Sequence, residues 1–377
     1  VGIVGESGAG KSTIGRAILG LLDPPANIES AEISLDGDVI SNRNEKFYES
    51  VRGKKIGYIY QNPMTALNPV LTIGEQLIEA IVSNTDMQGR RAQQYAVELL
   101  EKASISDAEE RLKKYPHQLS GGLCQRIVFA IAIAAKPDLI IADEPTTALD
   151  VTVQKAILQT LTNLCKEEQI AIILITHDMG VVSEMCDYVY VLRNGQHVEQ
   201  GSTRSVLLDP QAKYSRELMA SVPRIDQRFD RFNVPEIGKK GEKTAALRYL
   251  QNKEREHKTT DVPLLQVKNL SKTFITPRTL FKPRGEFQAV KEVSFDVYQG
   301  ETVGIVGESG SGKSTIGRMV LGLHDISSGQ IWYKGSDIST AADRSIRRDD
   351  CLSMQCIFQD PFSSLNPRMT TGENITH

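Results

Sequence analysis

Long apolar runs and a strong charge of either sign are missing from this sequence. No stretch approaches the roughly 18 apolar residues that cross a bilayer, so any role at a membrane would require a partner. The formal net charge of −3 over 377 residues gives no electrostatic reason to expect nucleic acid as the main partner. With 40% hydrophobic and 24% charged residues, the chain has the composition of a globular protein and is long enough for two domains.

Cysteine is scarce and irregularly spaced. The five cysteines are Cys124, Cys165, Cys186, Cys351 and Cys356. Their odd number and spacing indicate neither a disulfide framework nor a zinc site. We therefore expect reduced thiols in a cytosolic protein.

An internal repeat determines the predicted architecture. GIVGESGAGKSTIGR at 2–16 and GIVGESGSGKSTIGR at 304–318 differ only at Ala9 and Ser311. A second pair, YQNPMTALNP at 60–69 and FQDPFSSLNP at 358–367, follows at nearly the same offset of about 300 residues. A constant offset between two separate motifs predicts a duplicated domain.

The boundaries follow from a change in composition between the two copies. Residues 223–262 are polar, charged and without an apolar period, which predicts a linker between a first domain at 1–222 and a second at 263–377. The first domain alternates strand and helix patterns, as in an α/β fold with a largely parallel sheet. Its predicted elements are a helix from Ser12 or Thr13, a helical stretch over Ile73–Ala135, strands at Leu139–Ala142 and Ala171–Ile175, a helix at Val151–Cys165 and a hairpin at Asn194-Gly195.

Each copy contains the pattern G-x-x-x-x-G-K-[ST] that cradles phosphates. Its glycines allow successive backbone N–H groups to point inward, its lysine reaches the β- and γ-phosphates, and its serine hydroxyl binds Mg²⁺. We assign ATP binding to Gly5, Glu6, Ser7, Gly8, Ala9, Gly10, Lys11, Ser12 and Thr13, and expect the same roles for Gly307, Glu308, Ser309, Gly310, Ser311, Gly312, Lys313, Ser314 and Thr315.

Two carboxylates follow the apolar strand 139–142. Asp143 at the strand end is in the position to bind Mg²⁺ through water. Glu144, one residue further, could polarise a water in line with the γ-phosphate. A solvated turn is the plain alternative for both residues, and the phosphate-binding pattern in the same domain argues against it.

Leu119-Ser120-Gly121-Gly122-Leu123-Cys124-Gln125-Arg126 resembles the signature motif of ABC-transporter ATPases. The resemblance covers the whole chain apart from the linker and implies a P-loop NTPase core. That core has a mainly parallel sheet, an antiparallel β part and a helical subdomain, here in two copies, both truncated. It further implies signature roles for Ser120, Gly121, Gly122 and Gln125 and a D-loop role for Asp150. Catalytic roles are implied for Gln61, Glu144 and His177, and Mg²⁺ binding for Ser12, Gln61, Asp143, Ser314 and Gln359. Gln359 is also expected to contact the nucleotide, and Phe274 to stack on the adenine.

Three segments resemble importers of oligopeptides, dipeptides, nickel and glutathione: 115–122, 62–69, and 209–218 within an extension at 203–222. The last departs from that pattern at Lys213, and Leu123-Cys124 replaces a more usual Met-Arg. The resemblance implies two transmembrane permease subunits, an extracytoplasmic solute-binding protein, and a location at the cytoplasmic face of the inner membrane. Because no cysteine lies between Cys186 and Cys351, we expect no iron–sulfur centre.

The chain starts directly at a predicted P-loop strand and stops within a helical pattern, so we expect a fragment cut at both ends. In the family the cassettes pair head to tail, and each site combines one P-loop with the other cassette's signature. We therefore expect this chain to bind nucleotide weakly and to hydrolyse it little.

Two other functions stay open at this point. One is a soluble ABC protein acting on ribosomes or DNA, although such relatives have a long basic helical linker that 223–262 does not match. The other is a non-catalytic regulatory nucleotide-binding module, against which the intact Asp143-Glu144 pair and His177 argue.

Overall fold

The computed structural model describes residues 1–30, 32–146, 151–220, 262–276, 285–308, 310–339, 354–358 and 364–376. The chain divides into two compact units, Val1–Glu254 and Arg255–His377. The predicted linker lies almost entirely outside the described residues, as do Asp150, Ser309 and Gln359, so these assignments stay predictions. Within the described ranges no helix combines the length and apolarity that crossing a membrane needs.

The first unit is an α/β domain with a mixed sheet. Its strands are β1 (Gly2–Val4), β2 (Ser34–Leu35), β3 (Asp38–Val39), β4 (Ile56–Ile59), β5 (Leu139–Asp143), β6 (Ala171–Thr176), β7 (Tyr188–Arg193) and β8 (Gln196–Ser202). Six of them form one sheet in the order β4-β5-β6-β1-β7-β8, parallel except for the β7–β8 hairpin. The carboxyl ends of the parallel strands meet at one edge, where ligands bind in open α/β sheets.

Five of the eleven α-helices described in the first unit lie between β4 and β5 in sequence. The eleven are α1 (Lys11–Ile18), α2 (Glu45–Val51), α3 (Pro63–Ala66), α4 (Ile73–Asn84), α5 (Gly89–Lys102), α6 (Ala108–Leu112), α7 (Gly121–Ile133), α8 (Val151–Glu167), α9 (Met179–Met185), α10 (Thr203–Leu208) and α11 (Lys213–Ala220). Helices α4 to α7 form the predicted helical stretch, whereas α1 begins at Lys11, slightly before the predicted start.

Local chemistry explains where the helical stretch begins and how it packs. Thr72 and Glu75 form a reciprocal capping box at the start of α4, which satisfies two N–H groups that have no partner within the helix. Helix α7 is apolar on most sides, and its Ile127 and Phe129 are fully buried. They belong to one apolar cluster with the strand residues Ile59 and Ile140, so the helices and the sheet share a core.

The second unit contains a four-stranded antiparallel sheet in the order β10-β9-β11-β12. Its elements are β9 (Leu265–Thr276), β10 (Gly285–Val297), β11 (Ser328–Tyr333), β12 (Ser336–Asp337), α12 (Lys313–Val320) and α13 (Thr371–Thr376). Val267, Leu270, Ile316 and Ile331 are among the residues of its own small core.

The two copies of the repeated motif differ in what precedes the loop. In the first, β1 pairs with β6 on one side and β7 on the other. In the second, residues 301–308 form no strand, and Val306 is 91% exposed. No described strand of this unit pairs with those residues, so the strand that precedes the first loop has no counterpart among the described residues of the second unit.

The thiols provide a test of the packing. Cys124, Cys165 and Cys186 are buried, and burial raises the pKa of all three thiols, that of Cys165 to about 12. Cys356 is exposed.

Because the thiolate is the reactive form, we expect iodoacetamide at pH 8 to modify Cys356 in the native chain and to spare the three buried thiols until guanidinium is added. Peptide mass spectrometry reads each site separately, and native labelling of Cys165 as fast as Cys356 would contradict the described packing.

Candidate functional site

The phosphate-binding loop of the first unit connects β1 to α1. Gly5 has a φ of 155°, and a Cβ there would lie 2.2 Å from the carbonyl oxygen of Leu192. Gly10, which precedes α1, has a φ of 91°. Both positions favour glycine, the first also because the backbone of β7 approaches it so closely. The loop thereby directs the start of α1, with its unpaired N–H groups, toward the carboxyl edge of the sheet.

Lys11 lies against the inner side of this loop. Its side chain is buried with 5% exposed, and its Nζ donates to the carbonyl oxygens of Gly5 and Glu6, at 2.8 Å each. Burial lowers the pKa of the Lys11 ammonium from its ordinary value, while the nearby carboxylates of Glu144 and Asp143 act in the opposite direction. The result is a desolvated cation enclosed by the loop, in the position where an anionic ligand would meet it.

Asp143 ends β5 and contacts two hydroxyl groups. Ser12 Oγ donates to its Oδ1 at 2.8 Å, and Tyr58 Oη donates to its Oδ2 at 2.8 Å. Burial and the adjacent carboxylate raise the pKa of Tyr58, which therefore remains a donor. The Ser12 hydroxyl and the Asp143 carboxylate are hard oxygen donors, the kind of ligand that Mg²⁺ prefers. Among the described residues no group of three or more His, Cys, Asp or Glu could hold a metal ion.

Glu144 follows with an unusual backbone conformation, a φ of 46°. The left-handed region is unfavourable for a residue other than glycine, and such residues concentrate at functional sites. Its N–H donates to the carbonyl of Ile175 at 2.8 Å, which extends the pairing of β5 with β6 by one more bond. This hydrogen bond holds the backbone of Glu144 against the end of β6.

Two side chains from separate loops contact the Glu144 carboxylate. Gln61 Nε2, just after β4, donates to Oε2 at 2.8 Å. His177 Nδ1, just after β6, lies 3.0 Å from Oε1. With one partner on each oxygen, the carboxylate has a fixed orientation, and His177 itself remains largely exposed. The position of each group follows from the order of the parallel strands, since β4, β5 and β6 are neighbours.

These groups line one cavity of about 550 Å³. Its lining consists of Gly5, Glu6, Ser7, Gly8, Gly10, Lys11, Ser12, Thr13, Gln61, Glu144, His177 and Leu218. The structure therefore brings together the phosphate-binding pattern of the first copy, except the buried Ala9, with all three of the predicted catalytic residues.

Other predicted site residues lie elsewhere. The signature residues Ser120, Gly121 and Gly122 do not line this cavity; Ser120 instead caps α7 by accepting from the Leu123 N–H at 3.4 Å. Gln125 is 1% exposed and does not line this cavity either. In the second unit, Phe274 on β9 is 38% exposed and contacts His324 edge-to-face, with the ring centroids 5.7 Å apart.

The glycines of the second phosphate-binding loop have nearly the same φ values as those of the first. The φ values of Gly307, Gly310 and Gly312 are 158°, 80° and 93°, against 155°, 83° and 91° for Gly5, Gly8 and Gly10. Lys313 Nζ donates to the carbonyls of Gly307 and Glu308, at 2.8 and 2.6 Å. Ser311 lies in this loop, and Ser314 and Thr315 lie in the first turn of α12.

Sequence reasoning missed Tyr58 and Tyr214. Tyr58 lies within β4 and contacts Asp143. Tyr214 lies on α11, and its Oη accepts from the N–H of Glu6 in the phosphate-binding loop at 3.2 Å. An aromatic residue inside a strand or helix pattern gives no sign of a polar role, so only the fold reveals these contacts.

Removal of the Tyr58 hydroxyl tests the geometry around Asp143. In Tyr58→Phe a buried carboxylate oxygen loses a donor, and hydrogen bonds to charged groups contribute about 1.5 to 3 kcal/mol. We expect the free energy of unfolding, measured with urea, to fall by about that amount. The control Tyr60→Phe changes an exposed neighbouring tyrosine and should have no effect. A Tyr58→Phe protein as stable as this control would show that the contact with Asp143 is absent.

Comparison with known proteins adds the family. A family model described as ABC transporter matches residues 1–147 and 290–377, together more than half of the chain. The glutathione import ATP-binding protein GsiA of Escherichia coli (strain K12) is 40% identical over 393 residues, which cover 99% of this chain and 61% of the relative. The protein of the same name from Shigella boydii serotype 4 is 39% identical over 397 residues, with the same shares covered. The chain thus spans about three fifths of the length of these relatives.

Two solved structures are similar to about half of this chain. A dimeric post-hydrolysis structure of the ATP-binding cassette MJ0796, bound to ADP and Pi, is 30% identical with a TM-score of 0.48 and covers 54% of this chain and 84% of that one. The structure of cbiO1 from Clostridium perfringens is 28% identical with a TM-score of 0.48 and covers 55% and 78%. The expected α/β ABC ATPase fold, with a mixed sheet and a helical part, is confirmed, whereas its description as two truncated copies stays a prediction. By the family match, the identity with its relatives and the fold, this chain belongs to the ABC transporter family.

Proposed function

We propose that this chain is part of an ATP-binding and ATP-hydrolysing subunit that powers import of peptides or related small solutes. The observation that carries the proposal is a single cavity lined by the phosphate-binding loop, Lys11 and a Glu144 carboxylate that contacts both Gln61 and His177. In this proposal residues 1–222 and 263–377 are two cassettes joined by a linker at 223–262, and both are nucleotide-binding.

Binding of the triphosphate rests on the loop and on Lys11. The N–H groups from Gly8 to Thr13 and the positive end of the α1 dipole would meet the phosphate oxygens. Lys11, which now donates to two carbonyls, would share its three N–H donors with the β- and γ-phosphates. In the second cassette Lys313 has the same two contacts and would act in the same way, with Phe274 stacked on the adenine.

Ser12 and Asp143 fit a Mg²⁺ ion. Their oxygens are already within 2.8 Å of each other, on one side of the loop. When bound, the ion would neutralise charge on the phosphates and orient them for attack by water. Gln61 would contribute a further oxygen, and Ser314 and Gln359 are the corresponding candidates of the second cassette.

Hydrolysis requires a base beside the terminal phosphate, and Glu144 is our candidate. Its carboxylate lies at the edge of the cavity with a defined orientation, so that it could accept a proton from an attacking water. Gln61 and His177 would keep that orientation while the nucleotide binds. His177, whose side chain is largely exposed, would in addition contact the γ-phosphate.

The transport role rests on the relatives, which are named for glutathione import. We infer two transmembrane permease subunits, an extracytoplasmic binding protein that selects the solute, and a position at the cytoplasmic face of the membrane. Ser120, Gly121 and Gly122 lie outside the first cavity, which supports head-to-tail pairing of cassettes. In that pairing the signature motif of one cassette contacts the nucleotide site of the other. A D-loop role for Asp150 belongs to the same arrangement.

The test separates nucleotide binding from turnover. A fluorescent ATP analogue is titrated into this chain to millimolar concentration with Mg²⁺. We expect Lys11→Ala and Lys313→Ala each to remove one binding site, while the exposed-lysine control Lys54→Ala changes nothing.

In the full protein with its permease subunits, Glu144→Gln should bind ATP within twofold of wild type but hydrolyse it at least about 100-fold more slowly, since general bases contribute that much.

Uptake completes the test. Cells that carry Glu144→Gln should lose uptake of labelled glutathione or dipeptide that wild-type cells show. Unchanged nucleotide binding in the Lys11→Ala, Lys313→Ala double variant would contradict the site assignment. Normal uptake together with co-sedimentation on ribosomes would contradict the transport role.

A further inference from the structure

Helix α11, from the C-terminal extension at 203–220, packs directly on the phosphate-binding loop of the first unit. Tyr214 is 4% exposed, and its Oη accepts from the Glu6 N–H at 3.2 Å. Leu218, one turn further, is among the residues that line the cavity. The extension thus forms part of the wall of the site, although it follows every motif of the domain in sequence.

The Tyr214 contact concerns one particular peptide group. The carbonyl of Gly5 accepts from Lys11 Nζ at 2.8 Å, and the N–H of Glu6, in the same peptide group, donates to Tyr214. The peptide is therefore fixed at both ends, from inside the loop by the lysine and from outside by the tyrosine. Lys11 would share its N–H donors with bound phosphate, whereas Tyr214 would keep its hydrogen bond from the Glu6 N–H when nucleotide binds.

Two further contacts fix Tyr214 and α11 in this place. The Arg193 guanidinium lies 4.5 Å from the centroid of the Tyr214 ring, an attractive cation–π arrangement. The Glu199 carboxylate, on β8, accepts from the N–H groups of Gln211 and Ala212 at 2.7 and 3.0 Å, directly before α11. The β7–β8 hairpin also contacts the loop, since the Gly195 N–H donates to the Ala9 carbonyl at 3.1 Å.

We propose that Tyr214 is a positioning residue for the first phosphate-binding loop, so that α11 sets the affinity of this site for nucleotide. The hydroxyl restricts the free loop to the conformation that binds phosphate. A loop that also populates other conformations binds more weakly, because its apparent Kd is the intrinsic Kd divided by the fraction of molecules in the binding conformation. This inference rests on the proposed nucleotide-binding function of the same loop.

The experiment uses the 377-residue chain with Lys313→Ala in every sample, so that only the first loop binds. Tyr214→Phe removes the hydroxyl and keeps the ring beside Arg193, and Tyr190→Phe is the matched control. Tyr190 lies half-buried on β7, contacts the rings of Tyr188 and His197, and does not line the cavity. Lys11→Ala serves as the variant without a functional site.

We expect Tyr214→Phe to raise the Kd for a fluorescent ADP analogue about fivefold, equivalent to about 1 kcal/mol at 1.4 kcal/mol per factor of ten. Hydrogen exchange at the Glu6 amide should become faster, while the unfolding midpoint without nucleotide stays close to that of Tyr190→Phe. A Kd within twofold of the Tyr190→Phe control would overturn the inference, as would a lower unfolding midpoint with unchanged exchange at Glu6. If Lys11→Ala bound as tightly as the parent, the proposed function of the site would fail as well.

Discussion

Pairing of β1 with β6 on one side and β7 on the other determines where the chemical groups of the first site lie. The strand is only three residues long, yet it delivers the phosphate-binding loop to the carboxyl edge of the sheet. Asp143 ends β5 and His177 follows β6, and both strands end at that same edge. A short central strand thus sets the distance between the loop that would bind phosphate and the carboxylates that would act on it.

The charged groups of the site have partners before any ligand enters. The buried Lys11 ammonium lies near Asp143 and Glu144, and each carboxylate has donors of its own: Ser12 and Tyr58 on Asp143, Gln61 and His177 on Glu144. Buried charges without partners would destabilise the fold severely. The side chains proposed for catalysis therefore also satisfy one another in the free protein.

The sequence allowed the fold class, the helical stretch and the phosphate-binding loops to be predicted, because each has a strong local pattern: period, glycine spacing or capping. It also indicated Gln61, Asp143, Glu144 and His177, which lie up to 116 residues apart in the chain and which the parallel strands bring to one edge. Tyr58 and Tyr214 could not be predicted, since their roles depend on which backbone N–H or carboxylate the fold places beside the tyrosine hydroxyl. Gly304 to Val306 repeat the sequence of β1 but form no strand, because strand formation depends on the neighbouring strands with which a segment can pair.

The two phosphate-binding loops differ in surroundings and agree in conformation. One follows a paired central strand and encloses a buried lysine, and the other follows an exposed segment, yet their glycine φ values agree within 3°. The conformation of these glycines is accordingly kept whether or not a paired strand precedes the loop. Such a loop can occur in two domains without a change in the conformation of its glycines. The burial of its lysine, in contrast, depends on the residues that each domain places around it.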